Sequence, residues 1–269
     1  MDPTDDTPDP FRKYPRTPHI EGSGLQKGDD GERVPFFDIA GKPLVIEEKL
    51  DGANVGIWFR SAGEPVTQSR GHILAGGAGE AQFALLKTWV SVHQGTLWDA
   101  LGTRYVLYGE WMYAKHTVFY DALPHYLMEF DLLDRVTGAF LSTPARRERL
   151  AGASVVSVPV VHMGALRRPR DLVALVKPSL YKTAHWRQSL AEAQAATGAD
   201  PARFGASDTD DSDLSEGLYI KWEEGGVVRG RYKWVREAFV QTILDSGTHW
   251  RDRVLVPNRL RSDADIYRL

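Results

Sequence analysis

A lysine that could act as a nucleophile stands in the segment Glu48-Lys49-Leu50-Asp51-Gly52. An exposed lysine is almost wholly protonated at neutral pH, so the amine must be brought to its neutral form by burial or by neighbouring cations. Lys49 closes an apolar run, Leu44-Val45-Ile46, that can hold its stem rigidly. Gly52 permits a sharp turn directly behind it and leaves room for a nucleotide near the backbone. Asp51 adds a carboxylate that could hold a hydrated metal beside a reacting phosphate. On its own the pattern fits a surface lysine beside a hairpin turn better than a nucleophile. The histidines show no metal-ligand spacing, and the glycine-rich loop 71–79 lacks the Gly-Lys-Ser/Thr ending of a phosphate-binding P-loop.

The elements that must position this lysine follow from pattern. β-Branched residues at 44–46 and 55–59 predict two strands joined through a hairpin turn at Asp51-Gly52. Phe83, Leu86, Val90, Leu97 and Leu101 have helical spacing over 80–101. Residues 105–110 and 126–131 read as strands, and 166–197 reads as largely helical with a break at Pro178. A strand over 217–221, a turn at Glu223-Glu224-Gly225-Gly226, a returning strand over 227–235 and a short helix over 237–245 complete the pattern. Hairpin strands mixed with helices predict an α+β fold with antiparallel sheets. Residues 1–18, rich in proline and acid, read as a poorly ordered arm, and 19–269 as a single domain ending in a short helical tail.

Composition bounds the function. The 42% hydrophobic and 26% charged content is that of an ordinary globular enzyme. Absence of cysteine excludes a disulfide framework, a thiolate zinc site and a cysteine nucleophile. The acidic start carries no apolar signal core and no apolar run reaches membrane-spanning length, which predicts a cytoplasmic protein. A net charge of −3 gives no argument for nucleic-acid binding, so the distribution matters. Base collects at Arg146-Arg147-Glu148-Arg149, at Arg167-Arg168-Pro169-Arg170 and at 229–236. The first two clusters read as solvated surface.

Five further segments follow Lys49 in order: Gln68-Ser69-Arg70-Gly71, Tyr108-Gly109-Glu110-Trp111, Met128-Glu129-Phe130-Asp131-Leu132-Leu133, Glu216-Gly217-Leu218-Tyr219-Ile220-Lys221 and Arg231-Tyr232-Lys233-Trp234. With the lysine segment, the series resembles the covalent lysine nucleotidyltransferase superfamily of DNA ligases, RNA ligases and capping enzymes. It spans roughly residues 14 to 250. Each motif alone is weak; six in order are specific. The resemblance implies a nucleotidyltransferase (ATP-grasp-like) fold, ATP as AMP donor, and Mg²⁺ or Mn²⁺. It makes Lys49 the nucleophile and, with Asp51, Glu110, Glu216, Lys221 and Lys233, a member of the catalytic set. It puts Glu47, Glu48, Lys49, Arg70, Glu110, Phe130, Asp131, Lys221, Arg231 and Lys233 at the nucleotide. Arg70 and Glu110 would meet the ribose and Phe130 would stack on adenine. Asp51, Glu110 and Glu216 would hold the metal, mainly through water. Lys221, Arg231 and Lys233 would gather charge at the α-phosphate and depress the pKa of Lys49. Arg231 stands where the family often has lysine, and a guanidinium fork is not an ammonium.

Only 36 residues follow Lys233, too few for the OB-fold barrel of DNA ligases and capping enzymes. The segments 13–19 and 109–116 and the Tyr-Lys-Trp-Val run resemble small bacterial RNA ligases related to the double-strand-joining ligase of phage T4. That implies an RNA ligase sealing 5′-phosphate and 3′-hydroxyl ends in RNA repair, with RNA ends as partners and a separate end-healing kinase or phosphatase. A DNA nick-sealing enzyme, or an end-binding subunit of a repair complex, is the alternative. The aromatic and basic stretch 111–126 either contacts an RNA end by stacking or fills the core.

Overall fold

Two runs of apolar residues that look like one hairpin in sequence lie in different sheets. In the computed structural model, which describes residues 11–25, 32–60, 63–204, 208–246 and 253–268, the strands are β1 (His19–Ile20), β2 (Arg33–Val34), β3 (Leu44–Lys49), β4 (Ala53–Phe59), β5 (Pro65–Ser69), β6 (Tyr105–Trp111), β7 (Leu127–Asp134), β8 (Val156–Ser157), β9 (Val160–Gly164), β10 (Gly217–Glu224) and β11 (Val227–Val235). One sheet has the order β2-β1-β11-β10-β3-β9 and the other β5-β4-β6-β7-β8. The long pairings are antiparallel, and only the short strands β1, β2 and β8 pair in parallel. The mixed architecture of two sheets flanked by helices is the one expected. The hairpin at Asp51-Gly52 is not formed: β3 pairs with β10 and β9, β4 with β5 and β6, and Leu50–Gly52 carries the chain from sheet to sheet. Periodicity identifies both strands but carries no information about their partners.

Helices α1 (Ala84–Val92) and α2 (Gln94–Leu101) cover the outer face of the β4–β6 sheet through Leu86, Trp89, Leu97 and Leu101, packed on Val55, Ile57 and Leu107. Burial of such aliphatic and aromatic side chains contributes about 1.5–3 kcal/mol each. The outer face of the other sheet is covered by Phe36, Ile39, Leu166 and Leu172. Helices α3 (Thr143–Leu150), α4 (Pro169–Val173), α5 (Trp186–Ala196) and α6 (Glu237–Ser246) follow. The helical reading of 166–197 thus narrows to two separate helices, with 174–185 outside both. The β10–β11 hairpin turns at Gly225 and Gly226, both at positive φ, a region closed to most side chains. No helix among the described residues is long and apolar enough to cross a membrane.

Two surface assignments change. Residues 1–10 of the expected arm lie outside the described residues, but 11–18 are packed: Tyr14 is buried against Tyr108, Phe130 and Phe140. An aromatic ring in a proline-rich segment has enough apolar area to fix it. Arg146, expected on a solvated face, is fully buried, whereas Arg147 and Arg149 are exposed and 167–170 stay on the surface.

Candidate active site

The inner faces of the two sheets diverge around a cleft of about 640 Å³. Glu48 and Lys49 reach it from the end of β3, Gly52 and Asn54 from the crossover and β4, and Arg70 from the end of β5. Glu110 comes from β6, Phe130 from β7 and Lys233 from β11. Register explains the grouping. Lys49 pairs with Gly217 and Tyr219 with Lys233, so residues 47, 49, 219, 221, 231 and 233 share one face of the sheet. Gly52 is required where the sheets touch: a Cβ there would lie 2.7 Å from the Trp111 carbonyl oxygen and 2.9 Å from the Met112 sulfur. Gly217 is equally confined by the backbone of Trp234.

Lys49 Nζ donates to Glu216 Oε2 at 2.8 Å and lies 2.7 Å from Oε1 in the same ion pair. Burial pulls its pKa down, but Glu216, Glu110 and Asp51 pull harder and leave it above the ordinary lysine value. The expectation that basic neighbours depress it is therefore not met in the free protein. The carboxylates carry the complementary perturbation. Burial pushes Glu110 up to about 8; Lys49 opposes this and Glu216 and Asp51 add to it. Burial likewise raises Glu216 to about 7 against the pull of Lys49, with Asp51 adding. Asp51 is held by the backbone N–H groups of Thr117 and Val118, each 2.7 Å from Oδ2, and Glu110 Oε1 accepts from Gly52 N at 3.1 Å.

Three carboxylates crowded round one ammonium are short of positive charge, which is what a divalent cation supplies. Among the described residues no three such groups converge closely enough to ligate one ion directly. Oxygen donors of this kind suit a hard divalent cation such as Mg²⁺ or Mn²⁺.

Lys221 and Arg231 do not join Lys49. Lys221 is fully buried, pairing with Glu47 Oε2 at 2.9 Å and Asp131 Oδ1 at 3.1 Å and donating to the Phe130 carbonyl. It lies two β10 residues deeper than Tyr219, opposite Val45. Arg231 reaches Asp131 Oδ2 at 3.6 Å and stacks on Phe140, 3.8 Å from the ring centre. Arg146 Nη2 meets Glu47 at 2.7 Å and its Nη1 meets Glu129 at 3.3 Å. Three cations thus face three carboxylates between the sheets, binding α3 and β7 to β3, β10 and β11. Burial raises Asp131, but Lys221 and Arg231 overcome it and hold its carboxyl below the usual range. Glu47 and Asp131, expected at the nucleotide, belong to this buried layer. Glu48, Arg70, Phe130 and Lys233 do line the cleft.

Sequence reasoning missed Tyr14, Tyr219 and Thr17, which line the cleft. The Tyr14 and Tyr219 hydroxyls donate to Asp131 Oδ2 at 2.5 and 2.9 Å, and both rings flank Phe130 edge-on. Tyr219 alternates with Gly217 and Lys221 on β10, so the inward alternation of that strand is a usable signal. The stretch 111–126 fills the core: Trp111, His116, Phe119, Tyr120 and His125 are buried, which removes it as a stacking surface for RNA.

The family model for RNA ligase matches residues 42–235, a span that holds Lys49, Glu110, Phe130, Glu216 and Lys233. No curated protein matches the chain. Among solved structures, a lysine-to-alanine mutant of Naegleria gruberi RNA ligase with ATP and Mn is similar at 16% identity, over 78% of this chain and 53% of that one, with a TM-score of 0.50. An aspartate-to-alanine mutant of the same enzyme, without ligand, is similar at 17% identity over the same shares, also with a TM-score of 0.50. At that identity the likeness is one of fold. The chain spans about half the length of the solved structures it matches.

Proposed function

Because the chain belongs to the RNA ligase family, we propose that it is an ATP-dependent RNA ligase joining 5′-phosphate and 3′-hydroxyl ends in RNA repair. The observation that carries this reading is Lys49 at the cleft, held by Glu216 and ringed by Glu110 and Asp51. ATP and Mn in a Naegleria gruberi structure of the same fold support ATP as AMP donor and a divalent metal as partner.

Lys49 Nζ attacks the α-phosphorus of ATP; the N–P bond forms as the bond to pyrophosphate breaks, giving a lysyl–AMP. The 5′-phosphate of an RNA end then takes the AMP from Lys49. A 3′-hydroxyl attacks that activated phosphate, sealing the strand and releasing AMP. The amine must first lose a proton. In the free protein the carboxylates keep Lys49 charged, so the nucleophile is off. Asp51, Glu110 and Glu216 would hold a hydrated divalent cation, whose positive charge would weaken their hold on the Lys49 ammonium. Glu216, raised to about 7 and 2.7 Å from Nζ, is placed to accept the proton. Arg70, Glu110 and Phe130 line the cleft; the first two would meet ribose hydroxyls and Phe130 the base. Lys233 remains as the cleft-lining cation for the α-phosphate. A cytoplasmic location and a separate end-healing kinase or phosphatase complete the proposal.

The test offers matched 5′-phosphorylated nicks in RNA and DNA and an RNA stem-loop cut in its loop, with ATP and Mg²⁺. RNA sealing is expected to dominate; preferential sealing of all-DNA nicks overturns the RNA assignment.

A further inference from the structure

The cleft is acidic around the nucleophile, with Asp51, Glu110 and Glu216 grouped at Lys49. An RNA 5′-phosphate approaching it therefore needs attraction from elsewhere. The segment 11–18 runs along one side of the cleft, which Tyr14 and Thr17 line. Backbone carbonyls pin it: that of Arg12 accepts from Gln68 Nε2 at 2.9 Å and Tyr108 Oη at 2.6 Å, and that of Pro18 accepts from Lys233 N at 2.9 Å. The side chains of Arg12, Lys13 and Arg16 take no part in this anchoring. All three are exposed, as is Arg70. None of these four has a carboxylate partner among the described residues.

From Arg12 to Arg16 the segment spans at most about 13 Å at roughly 3.3 Å per residue. At about 3.4 Å per stacked nucleotide that length covers a few phosphates.

We infer that Arg12, Lys13 and Arg16 form a phosphodiester-binding track for the RNA strand whose 5′-phosphate enters the cleft. This rests on the ligase reading and adds the path by which the second substrate reaches Lys49. The track reads no bases; it holds the strand by charge, as backbone contacts do.

The steps of the reaction allow a separate test. The protein is first adenylylated with ATP and Mg²⁺, and AMP transfer to a 5′-phosphorylated RNA strand is then followed at several salt concentrations. In the triple variant Arg12→Ala, Lys13→Ala, Arg16→Ala, lysyl–AMP should form as in wild type. Its KM for RNA should rise about tenfold or more at low salt, with kcat little changed. Its dependence of log affinity on log salt should flatten by about 2, because each phosphate neutralised on a single strand adds roughly 0.7 to that slope. Arg12→Lys with Arg16→Lys should restore most of the affinity. An unchanged KM and salt slope in the triple variant overturns the track. So does a defect confined to lysyl–AMP formation, which would place these residues at the nucleotide. Wild type that forms no lysyl–AMP would overturn the ligase reading and the track together, so the two failures are distinguishable.

Discussion

Replacing Arg146 tests the idea that a buried charge layer holds the two halves of the site in register. The guanidinium is fully buried and touches Glu47 at 2.7 Å and Glu129 at 3.3 Å. In Arg146→Met, Glu47 keeps Lys221 at 2.9 Å, but Glu129 keeps only the Ser157 hydroxyl at 2.8 Å. Breaking a buried pair from one side costs about 3–5 kcal/mol, because the remaining carboxylate is left uncompensated. A chain of this size loses about 2–4 °C of Tm per kcal/mol, so the midpoint should fall by about 10 °C. Urea unfolding followed by tryptophan fluorescence and circular dichroism measures the free energy, and a thermal melt the midpoint. Arg147→Ala, one residue away and exposed, should stay within about 0.5 kcal/mol of wild type. Adding Glu129→Gln to Arg146→Met should recover part of the loss, since the uncompensated charge is then gone. If Arg146→Met costs less than about 1 kcal/mol, or no more than Arg147→Ala, the buried layer does not hold the sheets and the reasoning fails.

The acidic ring makes stability depend on pH in an unusual direction. Glu110 and Glu216 have folded pKa values of about 8 and 7, above the ordinary 4.5, so the fold favours their protonated forms. Their contribution is full below about pH 4.5 and is lost as pH rises towards 8. Glu110→Gln should therefore gain on the order of 1–4 kcal/mol over wild type at pH 8 and little at pH 5, read from paired melts. A gain at pH 5 that disappears at pH 8 would reverse the sign and refute the assignment. Mg²⁺ should raise the Tm of wild type more at pH 8 than at pH 5.5, and an equal effect at both would count against a cation among these carboxylates. Gly52→Ala should cost about 1–3 kcal/mol by overpacking against Trp111 and Met112 and should slow lysyl–AMP formation sharply. Wild-type stability and rate in that variant would show that the close approach is not required.

Legibility in the sequence differs from residue to residue. Lys49, Glu110, Phe130 and Lys233 belong to motifs that are readable segment by segment, and the structure puts all four on one cleft between the two sheets. The layer behind them is not legible, because its partners are distant in sequence: Arg146 meets Glu47 and Glu129 only after the two sheets stack. An Arg-Arg-Glu-Arg run carries no local mark that its first member turns inward. Lys221 and Arg231 are expected at the phosphate because charge type is visible in a sequence and depth along a strand is not. The crossover at Leu50–Gly52 is hidden for a similar reason: Asp-Gly between two apolar runs is the signal of a hairpin, and only the pairing with β10 and β6 separates the strands. Tyr14 is masked by the prolines around it.

The central claim is that Lys49 is the residue that first captures AMP. Purified protein incubated with ATP and Mg²⁺, denatured, digested and analysed by mass spectrometry tests it directly. One AMP should appear on the peptide bearing Lys49, be absent from Lys49→Ala, and leave that peptide when 5′-phosphorylated RNA is added. AMP on another residue, or label persisting in Lys49→Ala, would contradict the account.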